Sequence, residues 1–369
     1  VSAIGMMLFT SRPVGDAMAT TIWGTSSSWT LTALPLFVWM GEILFRTKLS
    51  ENLFKGLSPW MQKLPGGLIH VNVVGCALFA AISGSSAATV ATVGKMSIPE
   101  LRKRNYPEKI LLGSLAGSGT LGLLIPPSII LIIYGVAVQE SIAKLFIAGI
   151  IPGIMIALIF MSYVIIWSLI NKKFMPKIIE EYSFLEKIKR SKQLLPVIIL
   201  ILAVIGSIYT GIATATEAAS LGVVGALILS YFQKSLTLKT FKSSLLGATK
   251  TSCMIAFILA GSTFLSLAMG FTGLPRNLAL WIQNMELSPY VLIFVLMIFY
   301  IILGMFLDGI SAVVLTMAII EPMIRQAGFD MIWFGIFLVI VVEMAQITPP
   351  VGFNLFVLQG MANKDMGYI

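Results

Sequence analysis

Two short stretches hold the residue types that can bind ions. Ile82–Thr89 reads I-S-G-S-S-A-A-T, and Phe306–Ala312 reads F-L-D-G-I-S-A. Each lies inside an apolar segment. Each is followed by a proline, an arginine three residues later, a second long apolar segment and a Pro-Pro break within it. Gly84 permits a sharp turn, and Ser83, Ser85, Ser86 and Thr89 supply hydroxyl oxygens. Farther along, Gly119-Thr120-Leu121-Gly122 and Pro126-Pro127 interrupt the next segment, where proline removes donors and bends the chain. Hard oxygen ligands without a carboxylate cage suit Na+ better than a transition metal. The pattern predicts one Na+ site per half. The first combines Ser83, Gly84, Ser85 and Ser86 with Gly119, Thr120 and Gly122. The second combines Asp308 and Gly309 with Gln346, Thr348 and Gly352. The competing reading is that these Gly and Ser residues serve close helix packing in lipid.

Asp308 differs in kind, because an acid at membrane depth is costly and functional by default. It can bind Na+, pair with a cation or carry a proton. Glu217 and Glu343 also have apolar neighbours. Glu217 sits at a helix junction, where it caps or serves a site; Glu343 precedes the second break by a few residues.

The elements that position these residues follow from composition. The chain has 369 residues, 57% hydrophobic and 11% charged, with mean hydropathy +0.95. Soluble domains carry roughly 25% charged residues, so the chain reads as a polytopic membrane protein whose apolar runs span as helices. Period-two alternation is absent, which argues against an outer-membrane barrel. A net charge of +9 fits cytoplasmic loops rather than a nucleic-acid surface. Cys76 and Cys253 read as inert buried thiols, and His70, the one histidine, as structural or interfacial. The chain opens on an apolar stretch at Val1 without a charged leader, so it reads as a fragment.

Sliding the chain on itself aligns unusual residues. Pro99 falls on Pro322, Arg102 on Arg325 and Pro126-Pro127 on Pro349-Pro350, each 223 apart. Gly84 falls on Gly309, Ser86 on Ser311, Leu49 on Leu274 and Asn52 on Asn277, each 225 apart. Repeated halves with broken segments at corresponding positions mark secondary transporters. The arm Ser86–Ile98 has 13 residues, about 20 Å of helix, too short for roughly 30 Å of hydrocarbon. Each stretch therefore reads as the tip of a re-entrant hairpin: Gly66–Ser83 with Ser86–Ile98, and Tyr290–Leu307 with Ile310–Ile320. Ser11–Ser28 reads as a polar loop, 46–63 and 171–193 as amphipathic arms, and 233–250 as a basic loop before a span over Thr251–Phe271. The basic stretches 46–63, 95–109, 171–193 and 233–250 all fall on one side when both hairpins re-enter, which makes the halves inverted. The repeat also predicts a further helix beyond Gln359.

The motifs G-S-S-A-A-T-V-A-T-V-G, G-S-G-T-L-G-L-L-I-P-P-S, T-A-T-E-A-A-S-L-G and Q-I-T-P-P-V-G-F-N-L-F resemble the large membrane subunit of TRAP (tripartite ATP-independent periplasmic) transporters, over nearly the whole chain. The resemblance implies an all-α elevator-type transporter with an inverted repeat, two re-entrant hairpins and two discontinuous helices. It implies Na+ as coupling ion with no other cofactor, and no enzyme activity. Partners would be a small membrane subunit (DctQ-like), a periplasmic binding protein (DctP-like) and an organic acid, in a bacterial or archaeal cytoplasmic membrane. The implied division is 1–63 and 139–286 as scaffold, 64–138 and 287–362 as transport repeats, and 363–369 as a short end. Substrate candidates are Ser86, Thr89, Pro126, Pro127, Ser311, Pro349, Pro350 and Asn354, with half-helix N-termini at Ser85-Ser86 and Ile310-Ser311 favouring a carboxylate. Arg276 reads as an anion attractor or a solvated loop cation. Ala215 departs from the family's T-P-T-E-A-A segment and puts the local break in question. A second reading is a Na+/carboxylate symporter or Na+/H+ antiporter that needs no binding protein.

The topology makes a direct prediction. A lysine-reactive reagent applied from the cytoplasmic side should modify Lys103 and Lys239; modification only from the opposite side would overturn the assignment.

Overall fold

The computed structural model describes residues 2–47, 49–176, 182–273, 277, 280 and 288–369, without the side chains of 49–51. Lys48, Leu274, Arg276 and the 286/287 boundary lie outside the described residues. Among the described residues the chain is all-helical, with no strand. The helices are α1 (Ser2–Phe9), α2 (Val14–Ser26), α3 (Ala33–Phe45), α4 (Leu49–Met61), α5 (His70–Ser83), α6 (Ser86–Lys103), α7 (Glu108–Gly119), α8 (Leu121–Leu124) and α9 (Ile129–Val138). They continue with α10 (Ile142–Ile170), α11 (Phe184–Ser191), α12 (Leu195–Tyr209), α13 (Ala215–Phe232), α14 (Leu238–Thr272), α15 (Pro289–Gly304), α16 (Gly309–Gln326), α17 (Met331–Gln346) and α18 (Phe353–Ala362).

Among the described residues five helical runs are long and apolar enough to cross a membrane, and up to seven if each of two bent pairs counts as one. The run Glu108–Val138, which holds the first break, is mostly buried inside the protein. By contrast α10 is apolar all round and exposes Ile151, Leu158, Ile159 and Ile166, the composition of a lipid-facing span. The amphipathic arms α4 and α11 pack together. Trp60 Nε1 donates to Ser191 Oγ at 2.7 Å, and the Phe184 ring meets Trp60 edge-on.

Four expectations change. Residues 11–28 are largely helical as α2. Its hydroxyls fold onto their own backbone, Thr21 to Ala17 O at 2.7 Å and Thr25 to Thr21 O at 3.0 Å, so a Ser/Thr-rich stretch still forms a helix. The lysine-rich run before Thr251 is mostly the start of α14, which is 35 residues long and opens on a Thr237–Thr240 capping box; lysine is a good helix former. Cys253 is exposed rather than buried, whereas Cys76 is buried. Finally, the second hairpin arms run through Pro99 and Pro322 and reach 18 residues each, about 27 Å. Proline deletes one bond without ending these helices, so the argument from arm length fails.

What brings the first hairpin together is its base. Tyr106, just past the second arm, accepts from Leu68 N at 3.0 Å beside the foot of the first arm. In the second hairpin Tyr300 and Thr316 join the arms through their hydroxyls at 2.6 Å. The two halves then clasp each other. Arg102 Nη2 donates to Ala362 O at 2.8 Å, at the C-terminus of α18. Its repeat counterpart Arg325 donates through Nη2 to Val138 O at 3.1 Å, at the C-terminus of α9. Each arginine thus caps the broken helix of the other half, where a cation suits exposed carbonyls. Arg102 is also ion-paired with Glu108, and Arg325 with Glu321 and Glu140.

Replacing Arg102 or Arg325 with Ala should remove about 1 kcal/mol each and lower the unfolding midpoint in detergent. Lysine, lacking the fork, should restore only part of it. Unchanged midpoints in both variants would show the caps to be idle.

Candidate functional site

The first tip is seated on the first break. Helix α5 ends at Gly84, whose φ of 58° is left-handed, and Ser85 caps α6 by accepting from Ala88 N. Gly84 O accepts from Ile129 N at 3.3 Å. A Cβ on Gly84 would stand 2.7 Å from Pro127 O, and one on Gly122 would stand 2.6 Å from Ser85 O and Ser86 Cα. These glycines are therefore needed for backbone approach, and a side chain at either position displaces the tip. A Cβ on Gly119 would overlap Val90. Of the first predicted set, Gly84 and Gly122 pack tip against break, while Thr120 is turned onto Gly117 O of its own helix at 2.6 Å.

The second tip meets the second break at fewer points. Asp308 caps α16, accepting from Ser311 N at 3.1 Å through Oδ2 and from Ser311 Oγ at 2.5 Å through Oδ1. A Cβ on Gly309 would be 2.8 Å from Val342 Cγ1 and closer to Gln346 Nε2. Thr348 donates to Met344 O at 2.7 Å. Pro349 and Pro350 are exposed whereas Pro126 and Pro127 are buried, so the two breaks are not packed alike. Gly352 adopts φ 55° and precedes α18.

One side-chain bond joins the first tip to the helix before the second break. Ser86 Oγ donates to Glu343 Oε1 at 2.5 Å, both groups being buried. Glu343 Oε2 has no partner, and fully buried Asn354 has none at Oδ1 or Nδ2. Such orphaned polar atoms are rare in native interiors, and hard oxygens of this kind fit an alkali cation.

Both tips open onto one cavity of about 460 Å³. Ser83, Ser85 and Ser86 line it from the first half, and Asp308, Gly309 and Gln346 from the second. Its other walls are helices that motif reading did not connect to the site: Gly41, Glu42 and Phe45 of α3, and Thr251, Met254 and Ile258 of α14. Helix α3 sits close to the tip, since a Cβ on Gly41 would be 3.2 Å from Ile82 O and Ser83 Cα. Glu42 is an acid that motif reading did not single out; it is ion-paired with Arg46, four residues on. Thr89, Pro126, Pro127, Ser311, Pro349, Pro350 and Asn354, all predicted substrate contacts, do not line this cavity. Thr89 is turned inward, bonded to Ser83 Oγ and Ser85 O at 2.8 Å each.

A second space of about 680 Å³ lies farther along the same two helices, between Ser262, Thr263 and Ser266 of α14, Val314 and Met317 of α16, and the threonines of α2. In the wall of this second space Ser262 Oγ donates to Val314 O at 2.6 Å. Glu217 belongs to neither cavity. It forms a capping box with Thr214, and with Gly211 at φ 72° it makes the break before Ala215 without proline. His70 Nε2 lies 2.8 Å from Pro65 O at the start of α5, a structural position.

A many-helix membrane carrier, with a cavity between paired hairpin tips that holds serines and acids among apolar side chains, and an outer set of apolar helices, is the class this arrangement defines. Comparison with known proteins names the family. Residues 1–369 match the family described as "Tripartite ATP-independent periplasmic transporter, DctM component", and the chain belongs to it. It is a multi-pass membrane permease and not an enzyme. It is 32% identical over 367 residues to the C4-dicarboxylate TRAP transporter large permease protein DctM of Pseudomonas aeruginosa, covering 99% of this chain and 85% of that protein. It is 32% identical over 353 residues to the 2,3-diketo-L-gulonate TRAP transporter large permease protein YiaN of Escherichia coli, covering 94% and 81%. The crystal structure of the Alcanivorax borkumensis YdaH transporter superposes with a TM-score of 0.65 at 12% identity, over 95% of this chain and 82% of that one, a likeness of fold alone.

Ser86→Ala should leave both carboxylate oxygens of Glu343 without a partner and destabilise the folded protein by about 1–3 kcal/mol. The double variant Ser86→Ala/Glu343→Leu should recover most of the loss. Thermal unfolding of the four species measures the coupling, and additive effects would contradict it.

Proposed function

We propose that this chain is the translocating permease of a Na+-coupled importer of an organic acid in a bacterial or archaeal cytoplasmic membrane. A periplasmic binding protein delivers the acid, and a small membrane subunit completes the assembly. The family description, a component of a tripartite periplasmic system, supports both partners. The relatives' names, a C4-dicarboxylate and a diketo sugar acid permease, support a carboxylate cargo.

The observation that carries Na+ coupling is the charge of the tip cavity. Among the described residues its charged lining side chains are Glu42 and Asp308, and no lysine or arginine lines it. A carboxylate entering such a space is repelled by like charge until cations occupy it. Na+ bound at the two tips cancels that charge, so cargo binds after Na+ and the ion gradient drives uptake. Ser83, Gly84, Ser85, Ser86, Gly119, Thr120 and Gly122 would hold one ion. Asp308, Gly309, Gln346, Thr348 and Gly352 would hold the other. The N–H groups opening α6 and α16 then face the carboxylate.

The movement is an elevator. Both hairpins re-enter from opposite sides, and residues 64–138 and 287–362 travel as one body against the scaffold 1–63 and 139–286. Two separate cavities along α14 and α16, bridged in the wall of the second by the Ser262–Val314 bond, support alternating access. The reciprocal arginine caps support a single moving unit.

The test is uptake of radiolabelled organic acids into proteoliposomes holding both membrane subunits, with the binding protein outside. Uptake should require the binding protein and an inward Na+ gradient, and Asp308→Ala should reduce it to background. Gradient-independent uptake, or transport without any binding protein, would overturn the proposal.

A further inference from the structure

A groove of about 780 Å³ adjoins the tip cavity and is lined by Arg46, Lys239, Lys242 and Lys250. Three of the four come from the first half of α14. Lys239, Lys242, Leu246 and Lys250 recur at helical spacing and line the groove together, so three cations share one face. Lys239 lies in the first turn, where a cation opposes the helix dipole, and the mutual repulsion of the three lysines adds to that cost. An anion in the groove relieves both.

The groove and the tip cavity meet at one ion pair. Glu42 lines the cavity and Arg46 lines the groove, and the two are bonded to each other. Arg46 Nε also donates to Ser243 Oγ of α14 at 3.1 Å. Gly247 makes the wedge fit: a Cβ there would be 2.8 Å from Glu42 Cδ and 3.2 Å from Arg46 Nη2. Lys250 lines the groove while the adjacent Thr251 lines the cavity.

We propose that this groove is an anion-collecting vestibule into which a carboxylate passes from the tip cavity, with the Glu42–Arg46 pair as the partition between them. The proposal rests on the reading of the cargo as an organic carboxylate. A carboxylate reaching the partition competes with Glu42 for the Arg46 guanidinium, which presents a planar fork matched to that group. The lysines beyond then hold the anion against return. The positive-inside pattern puts this mouth on the cytoplasmic side, so the vestibule serves release.

The test needs no knowledge of the cargo. Leu246→Cys is introduced with Cys253→Ser, which leaves buried Cys76 as the other thiol. The assembled membrane subunits are labelled from the cytoplasmic side with an anionic or a cationic methanethiosulfonate, each rate normalised to its reaction with a free thiol. The anionic reagent should be favoured about tenfold, as expected for a cleft of one charge sign. The preference should fall with added salt and vanish in Lys239→Gln/Lys242→Gln/Lys250→Gln. Equal rates, or no labelling by either reagent because lipid or a subunit covers the groove, would overturn the vestibule. With Thr251→Cys instead, Glu42→Gln should speed anionic labelling several-fold and Arg46→Gln should slow it; no effect of either removes the partition. A failure of Na+-driven uptake leaves these ratios unchanged, and equal ratios leave uptake unchanged, so the two readings fail separately.

Discussion

At membrane depth a break in a helix leaves backbone groups without partners, and lipid supplies none. In this chain the first break is closed by the hairpin that precedes it: Gly84 O accepts from Ile129 N, and Gly122 lets Ser85 and Ser86 lie against the break. Most other features of the site depend on that seating. It places the N-terminus of α6 at the cavity, holds Ser86 within reach of Glu343, and turns Thr89 inward to tie the tip together. The same contact shows these glycines in the close packing that the alternative reading expects.

The charge of the cavity is the second constraint. Apolar surroundings make an unpaired acid costly, yet Glu42 and Asp308 both face this space. Each has a local partner: Arg46 for Glu42, and the capped N–H and hydroxyl of Ser311 for Asp308. Asp308 thus has a structural role as an N-cap as well as its proposed role at a cation site. A cavity with acids on its walls repels an anion until cations enter it, which is the physical content of the proposed symport.

Much of the architecture was legible in the residues. The 223-residue spacing of Arg102 and Arg325 pointed to equivalent places, and the tip and break motifs identified the parts that meet. What the arginines do was not legible, because their acceptors Ala362 and Val138 are carbonyls of the opposite half and any residue type supplies one. Helix bounds were misjudged where a local rule was outweighed. Hydroxyls in α2 satisfied their own backbone, lysines continued α14, and Pro99 and Pro322 bent no helix to an end.

Sequence by itself determined the class, the repeat and the family, since these reside in composition, periodicity and residue types with special backbone properties. It also marked the polar residues that converge at the tips, because apolar surroundings make each conspicuous. Only the tertiary structure decided which of them face a common cavity, that the two breaks differ in burial, and that Glu42, Arg46 and the lysines of α14 border the site. Their spacing is that of ordinary surface helices. Their place beside the tips comes from α3 and α14 packing against the hairpins, a long-range arrangement that no local pattern encodes.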